Sequence, residues 1–156
     1  MTNRVVLAII LALAASPLAA RDSLGVYDGW GAFRDASPLR CYAIAKASGE
    51  NGERGAYATI ANWPARGLRG TVHLVLSREV TGTGPVRMAV GGKRFELVAK
   101  GRNAWARDAQ GDAAIIAAIR SASRMSVSAG GFTDRYTLAG AATAIDAATV
   151  ACAKSR

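Results

Sequence analysis

The sequence is poor in the residues that carry most protein chemistry. It holds one histidine, His73, and two cysteines, Cys41 and Cys152. Two thiols and one imidazole fall short of the ligand set of a structural or catalytic metal site, so no metal or other cofactor is expected. No Gly-x-Ser-x-Gly elbow occurs, which removes one familiar frame for a nucleophilic serine. Among the acids, Asp108 and Asp112 lie at a helix start, where capping and the macrodipole explain them, and Glu50 and Glu53 lie in a polar loop. Neither set reads as the paired carboxylates of a glycosidase. Gly91-Gly92-Lys93 looks like the tail of a phosphate loop but joins two strands, not a strand and a helix. There is no run of like charges to serve as a nucleic-acid arm. The longest apolar run, residues 5–15, is shorter than the roughly 20 residues a bilayer span needs.

What is present starts with MTNRVVLAIILALAASPLAA, which has the three parts of a secretory signal. Arg4 supplies the positive region, the apolar run follows, and small residues come after Pro17. Cleavage is expected after Ala20, leaving residues 21–156 as a single domain with no transmembrane span. No cysteine sits near the cut, which argues against a lipid anchor. Two cysteines in an exported chain point to one disulfide, Cys41–Cys152; two buried free thiols or an intermolecular bridge are the alternatives. Closing so long a loop contributes about 4–5 kcal/mol in the chain-entropy model.

The formal net charge is +9, and sixteen of the twenty basic residues are arginine. Such an excess favours anionic surfaces and polymers, although codon composition favouring Arg and Ala would produce the same count.

Along the chain, residues 21–29 read as an irregular lead-in. Two short strands, 30–34 and 40–45, flank a turn at 35–38, and residues 46–55 form a polar loop. A strand over 56–63 is stopped by Pro64. Residues 71–77 alternate, with Val72, Leu74 and Leu76 on one face and His73 on the other. A Gly91-Gly92 hairpin pairs Val86 with Leu97 and Met88 with Phe95, and sets Arg87 opposite Glu96 and Ala89 opposite Arg94. A short strand at 103–105 precedes a helix with Asp112 as N-cap and Ile115, Ile116 and Ile119 as its apolar stripe. For the next hairpin, a loop over 130–133 sets Val127 against Tyr136 and Met125 against Leu138. It is preferred to a tight Gly130-Gly131 turn, which would set Val127 against Asp134. Gly140 ends that strand, and a helix over 141–152 presents Ile145, Ala148 and Cys152 on one face. The expected fold is α+β and β-rich: an antiparallel sheet or sandwich of about 6–8 strands with two short helices in the C-terminal third.

Tryptophans 30, 63 and 105 each lie near arginine, a combination able to bind an anionic polymer, although core or core-edge placement is their commoner role. The candidate binding surface read from the sequence is Arg66, Arg69, Arg94, Arg102 and Trp105.

Several segments resemble the invasion-associated locus B family of exported bacterial proteins. They are Gly29-Trp30 opening a strand that leads to Cys41, the helix DAAIIAAIRSA, the strand SRMSVSA, and YTLAG running into an alanine-rich helix. The resemblance implies a location and a fold class but no established enzymatic activity. The expectation is a non-catalytic protein of the periplasm or cell surface of a Gram-negative bacterium. It would bind an anionic envelope component or an envelope or host protein, with no specific nucleic-acid partner. The competing readings are a small periplasmic hydrolase using His73 and a secreted inhibitor using the loop 46–55.

Overall fold

A computed structural model describes residues 21–154; the expected signal segment, 1–20, lies outside the described residues. Ten strands, β1 (Arg21–Tyr27), β2 (Trp30–Ala36), β3 (Leu39–Lys46), β4 (Tyr57–Trp63), β5 (Leu68–Val75), β6 (Val86–Val90), β7 (Lys93–Lys100), β8 (Asn103–Trp105), β9 (Arg124–Ala129) and β10 (Phe132–Thr137), form one sheet. Its spatial order is β1-β2-β3-β4-β5-β8-β7-β6-β9-β10, and every neighbouring pair is antiparallel. Three helices accompany it: α1 (Glu50–Glu53), α2 (Ala109–Ser121) and α3 (Ala141–Ala153).

The class is the expected one, but ten strands in a single curled sheet replace the smaller sheet or sandwich. The lead-in 21–29 is in fact strand β1, paired with β2 around a bulge between Ser23 and Gly25. A bulged edge strand with no fully buried residue shows no clean alternation, which is why RDSLGVY does not read as one.

The pleat sorts residues onto two faces. The inner face buries Ala32, Ala43, Ala58 and Ile60 of β2–β4, Val72 and Leu74 of β5, and Val86, Met88, Met125 and Val127 of β6 and β9. α3 covers β1–β4, and α2 lies against β5, β6 and β7. Alanine on both the strands and α3 (Ala141, Ala144, Ala148) lets that helix lie close to the sheet. Ile115 and Ile119 are the buried stripe of α2. Cys152 of α3 meets Cys41 of β3 in a disulfide that closes 111 residues, with Cα atoms 5.8 Å apart.

The sheet curls until its last strand meets its first ones. The edge carbonyls of Thr133, Arg135 and Thr137 in β10 accept from Asn51 Nδ2 (2.9 Å), Ser48 N (2.7 Å) and the indole of Trp30 (3.0 Å). These three donors replace a neighbouring strand. Immediately afterwards Gly140, at φ +80°, fits against the Tyr27 carbonyl so closely that a Cβ there would overlap its oxygen.

Two local expectations are corrected. Asp108, not Asp112, is the N-cap of α2, accepting from Gly111 N at 2.8 Å. Asp112, one turn on, accepts from the Val72 backbone N–H at 2.8 Å, a donor of β5 beyond the reach of three-residue β8. The β9–β10 hairpin uses the tight Gly130-Gly131 turn, pairing Asp134 with Val127 and Tyr136 with Met125. Asp134 is therefore buried, and its Oδ2 accepts from Ser77 N at 2.9 Å. That distant partner outweighs the apolar matching that favoured the longer loop. Burial, reinforced by Asp134, holds the Tyr136 phenol above its ordinary titration range.

Burial, opposed by the Val72 hydrogen bond and reinforced by Asp108, raises the Asp112 carboxyl above its usual 3.8. The folded state thus holds this proton more tightly than the unfolded chain, and the residue's contribution to stability falls as pH rises through that window. Asp112→Asn keeps an oxygen acceptor for Val72 and removes the charge. It is expected to melt at the same or a higher temperature at pH 7, with the difference closing below pH 3.8. A second expectation concerns Gly140→Ala. A non-glycine residue at positive φ costs about 1–2 kcal/mol, and the Tyr27 overlap adds to it. Urea unfolding should show a loss well above that of Gly67→Ala, where φ is +65° and nothing lies within 4 Å.

Candidate anion-binding face

The outer face carries the polar groups. Its first cluster lies where β2, β3 and β4 meet. The Arg40 guanidinium stands 4.1 Å from the Tyr42 ring centroid and 5.1 Å from that of Trp63, and Arg66 covers Trp63 at 5.0 Å. Asp35 accepts from Arg40 at 2.7 Å and from Arg21 at 3.1 Å. Partial burial pushes the Asp35 carboxyl up, but the bonds from Arg40 and Arg21 outweigh it and hold the carboxyl below its ordinary range. These cations are already matched by an acid and by aromatic faces.

His73 sits mid-sheet on the same face. Its Nε2 lies 2.9 Å from Asn103 Oδ1, its ring stacks on Trp105 at 5.5 Å, and Tyr57 meets it edge-on at 6.4 Å. Its polar partner is a carboxamide, not the carboxylate that orients a catalytic imidazole in a triad. Trp105 pairs across strands with Val98, and the two remain 38% and 49% exposed.

The second cluster covers β7, β6, β9 and β10. The register places Arg94 on β7, Arg87 on β6, Arg124 on β9 and Arg135 on β10, all pointing outward and all exposed. Between them lie the short side chains Ala89, Ser126 and Ser128. Elsewhere Arg21, Arg34, Arg40, Arg54, Arg107 and Arg120 each lie within ion-pair distance of an acid. Arg87, Arg94, Arg124 and Arg135 have no such partner among the described residues. The one acid on the outward positions of these four strands, Glu96, pairs with Arg107 at 3.1 Å. Positive charge is thus in excess here, with Glu96 opposite Arg87 as the one outward acid, over a floor that leaves the guanidinium groups accessible.

Of the residues expected from the sequence, only Arg94 belongs to this cluster. Arg66 ends the 64–66 turn after β4, and Arg69 lies at the start of β5. Arg102 lies at the other end of β5, where its guanidinium donates to the carbonyls of Leu76 (2.7 Å) and Arg54 (2.8 Å), a structural clamp. Trp105 borders the cluster through Val98. Arg87, Arg124 and Arg135 went unrecognised. The Gly91-Gly92 hairpin register had already put Arg87 and Arg94 on one face, but the β6–β9 pairing that adds the others joins segments far apart in sequence.

Among the described residues no group of three or more His, Cys, Asp or Glu side chains could hold a metal ion, and no helix is long and apolar enough to cross a membrane. The fold and face define a disulfide-linked, β-rich protein with a basic outer platform. No family model, curated protein or solved structure matches the chain.

Proposed function

We propose that this is a non-catalytic exported protein of the invasion-associated locus B type, working in the periplasm or at the cell surface of a Gram-negative bacterium. Its outer face would bind an anionic envelope component. The observation that carries this reading is the set of four arginines, Arg87, Arg94, Arg124 and Arg135, on one sheet face with no acid in ion-pair distance among the described residues. Four exposed guanidinium groups without counter-ions form a field that attracts and bidentately bonds phosphate or carboxylate. The Cys41–Cys152 bond fits an oxidising compartment. The resemblance in sequence supplies the class; its motif residues Trp30 and Gly140 meet at the sheet closure, so they speak for the fold and not for a ligand.

Sedimentation with phosphatidylcholine vesicles, with and without phosphatidylglycerol, tests the reading. Binding is expected only to the anionic vesicles and is expected to fade as salt shortens the screening length to about 3 Å at 1 M. At about 1 kcal/mol per basic residue near such a surface, Arg87→Gln/Arg135→Gln should weaken binding roughly thirty-fold. Arg66→Gln/Arg69→Gln should weaken it much less. Salt-independent binding, or equal losses from both pairs, would contradict the assignment of this face.

A further inference from the structure

The four arginines are not evenly spread. Arg87 and Arg94 line one hollow of about 490 Å³, whose rim also carries Glu96, and Arg124 and Arg135 line a second of about 590 Å³; Arg87 and Arg135 share a third, of about 450 Å³, beside Ser128. Both hollows reach the same two floor residues, Ala89 and Ser126. Within each pair the arginines are diagonal cross-strand neighbours, because Ala89 faces Arg94 and Ser126 faces Arg135. Diagonal neighbours stand about 7–8 Å apart, close enough for two guanidinium groups to converge on one phosphate. The midpoints of the pairs are two strands and two residues apart, about 12 Å by sheet geometry. Between them the floor is small and uncharged, and Ser126 has no side-chain hydrogen-bond partner among the described residues.

Two anion cradles separated by a short neutral saddle suit a ligand with two phosphates and a polar spacer. A disaccharide phosphorylated at both ends has that form, its hydroxyls meeting Ser126 and its C–H face meeting the Ala89 methyl. Exposed Val98 and Trp105 border the same face, and an aromatic beside basic residues is the pattern of a surface lying against a lipid interface. Resting on the reading above, we infer that this face holds the doubly phosphorylated sugar headgroup of an envelope glycolipid, one phosphate on Arg87/Arg94 and the other on Arg124/Arg135.

The test uses three phosphatidylcholine vesicle preparations of matched charge, doped with bisphosphorylated lipid A, with its monophosphorylated form, or with phosphatidylglycerol. The bisphosphorylated vesicles are expected to bind at least about tenfold more tightly than either of the others, since loss of one cradle removes a charge-assisted contact. Ala89→Phe, which fills the saddle and leaves all four arginines in place, is expected to abolish that preference while retaining the weaker, charge-driven binding. Arg124→Gln/Arg135→Gln should equalise the two lipid A forms, with circular dichroism confirming the fold of each variant. Equal binding to all three vesicles would overturn the headgroup inference and leave the basic-face reading standing. Binding to none would remove both. Binding of a soluble disaccharide bisphosphate with no matching vesicle preference would overturn the membrane source.

Discussion

The closure of the β10 edge is the contact on which the rest of the molecule depends. A ten-stranded open sheet leaves two rows of unpaired backbone groups, and an unpaired carbonyl withdrawn from water costs about 1–3 kcal/mol. Trp30, Ser48 and Asn51, from the first third of the chain, donate to the outward carbonyls of β10. Once β10 is fixed, Gly140 turns the chain against Tyr27, α3 enters the curl, and Cys152 reaches Cys41. Hydrogen bonds, steric fit and a covalent bond all join the end of the domain to its beginning, and each needs the others to be in register.

That closure also divides the labour of the two faces. Inside, short side chains on β2–β4 and on α3 pack closely, and the larger Ile, Met and Val of the other half meet α2. Two of the polar groups there finish the backbone: Asp112 and Asp134 each accept an N–H of the β5 region that no strand reaches. Outside, arginines fall into two kinds. Arg40, Arg66 and Arg102 are engaged by rings, an acid or carbonyls and hold the structure together. The guanidinium groups of Arg87, Arg94, Arg124 and Arg135 hold nothing in place. They stand on short strands held in the sheet ladder, so they form a rigid platform for a ligand, not a flexible arm.

Much of this was legible in the sequence where two independent signals agreed. The β6–β7 register was readable because apolar partners and opposite charges selected the same alignment, Val86 with Leu97 and Arg87 with Glu96. The Cys41–Cys152 pairing and the inward face of α3 were readable for similar reasons. The β9–β10 register was not, because local matching favours Tyr136 opposite Val127, and the buried Asp134 is accommodated only by Ser77, 57 residues away. β1 escaped because a largely exposed edge strand with a bulge lacks period-two patterning. The site escaped for a third reason: proximity to tryptophan in sequence selected Arg66 and Arg102, whereas the arginines that cluster are brought together by the non-consecutive β6–β9 pairing.

The most direct test of the central claim is an NMR map of arginine Nε–Hε resonances, recorded as anionic bicelles are added to the oxidised protein. Shifts concentrated at Arg87, Arg94, Arg124 and Arg135, with Arg40 and Arg102 unmoved, are the expected result. Shifts centred on Arg66 and Arg69, or spread evenly over all the arginines, would contradict it and return the basic charge to a general property of the surface.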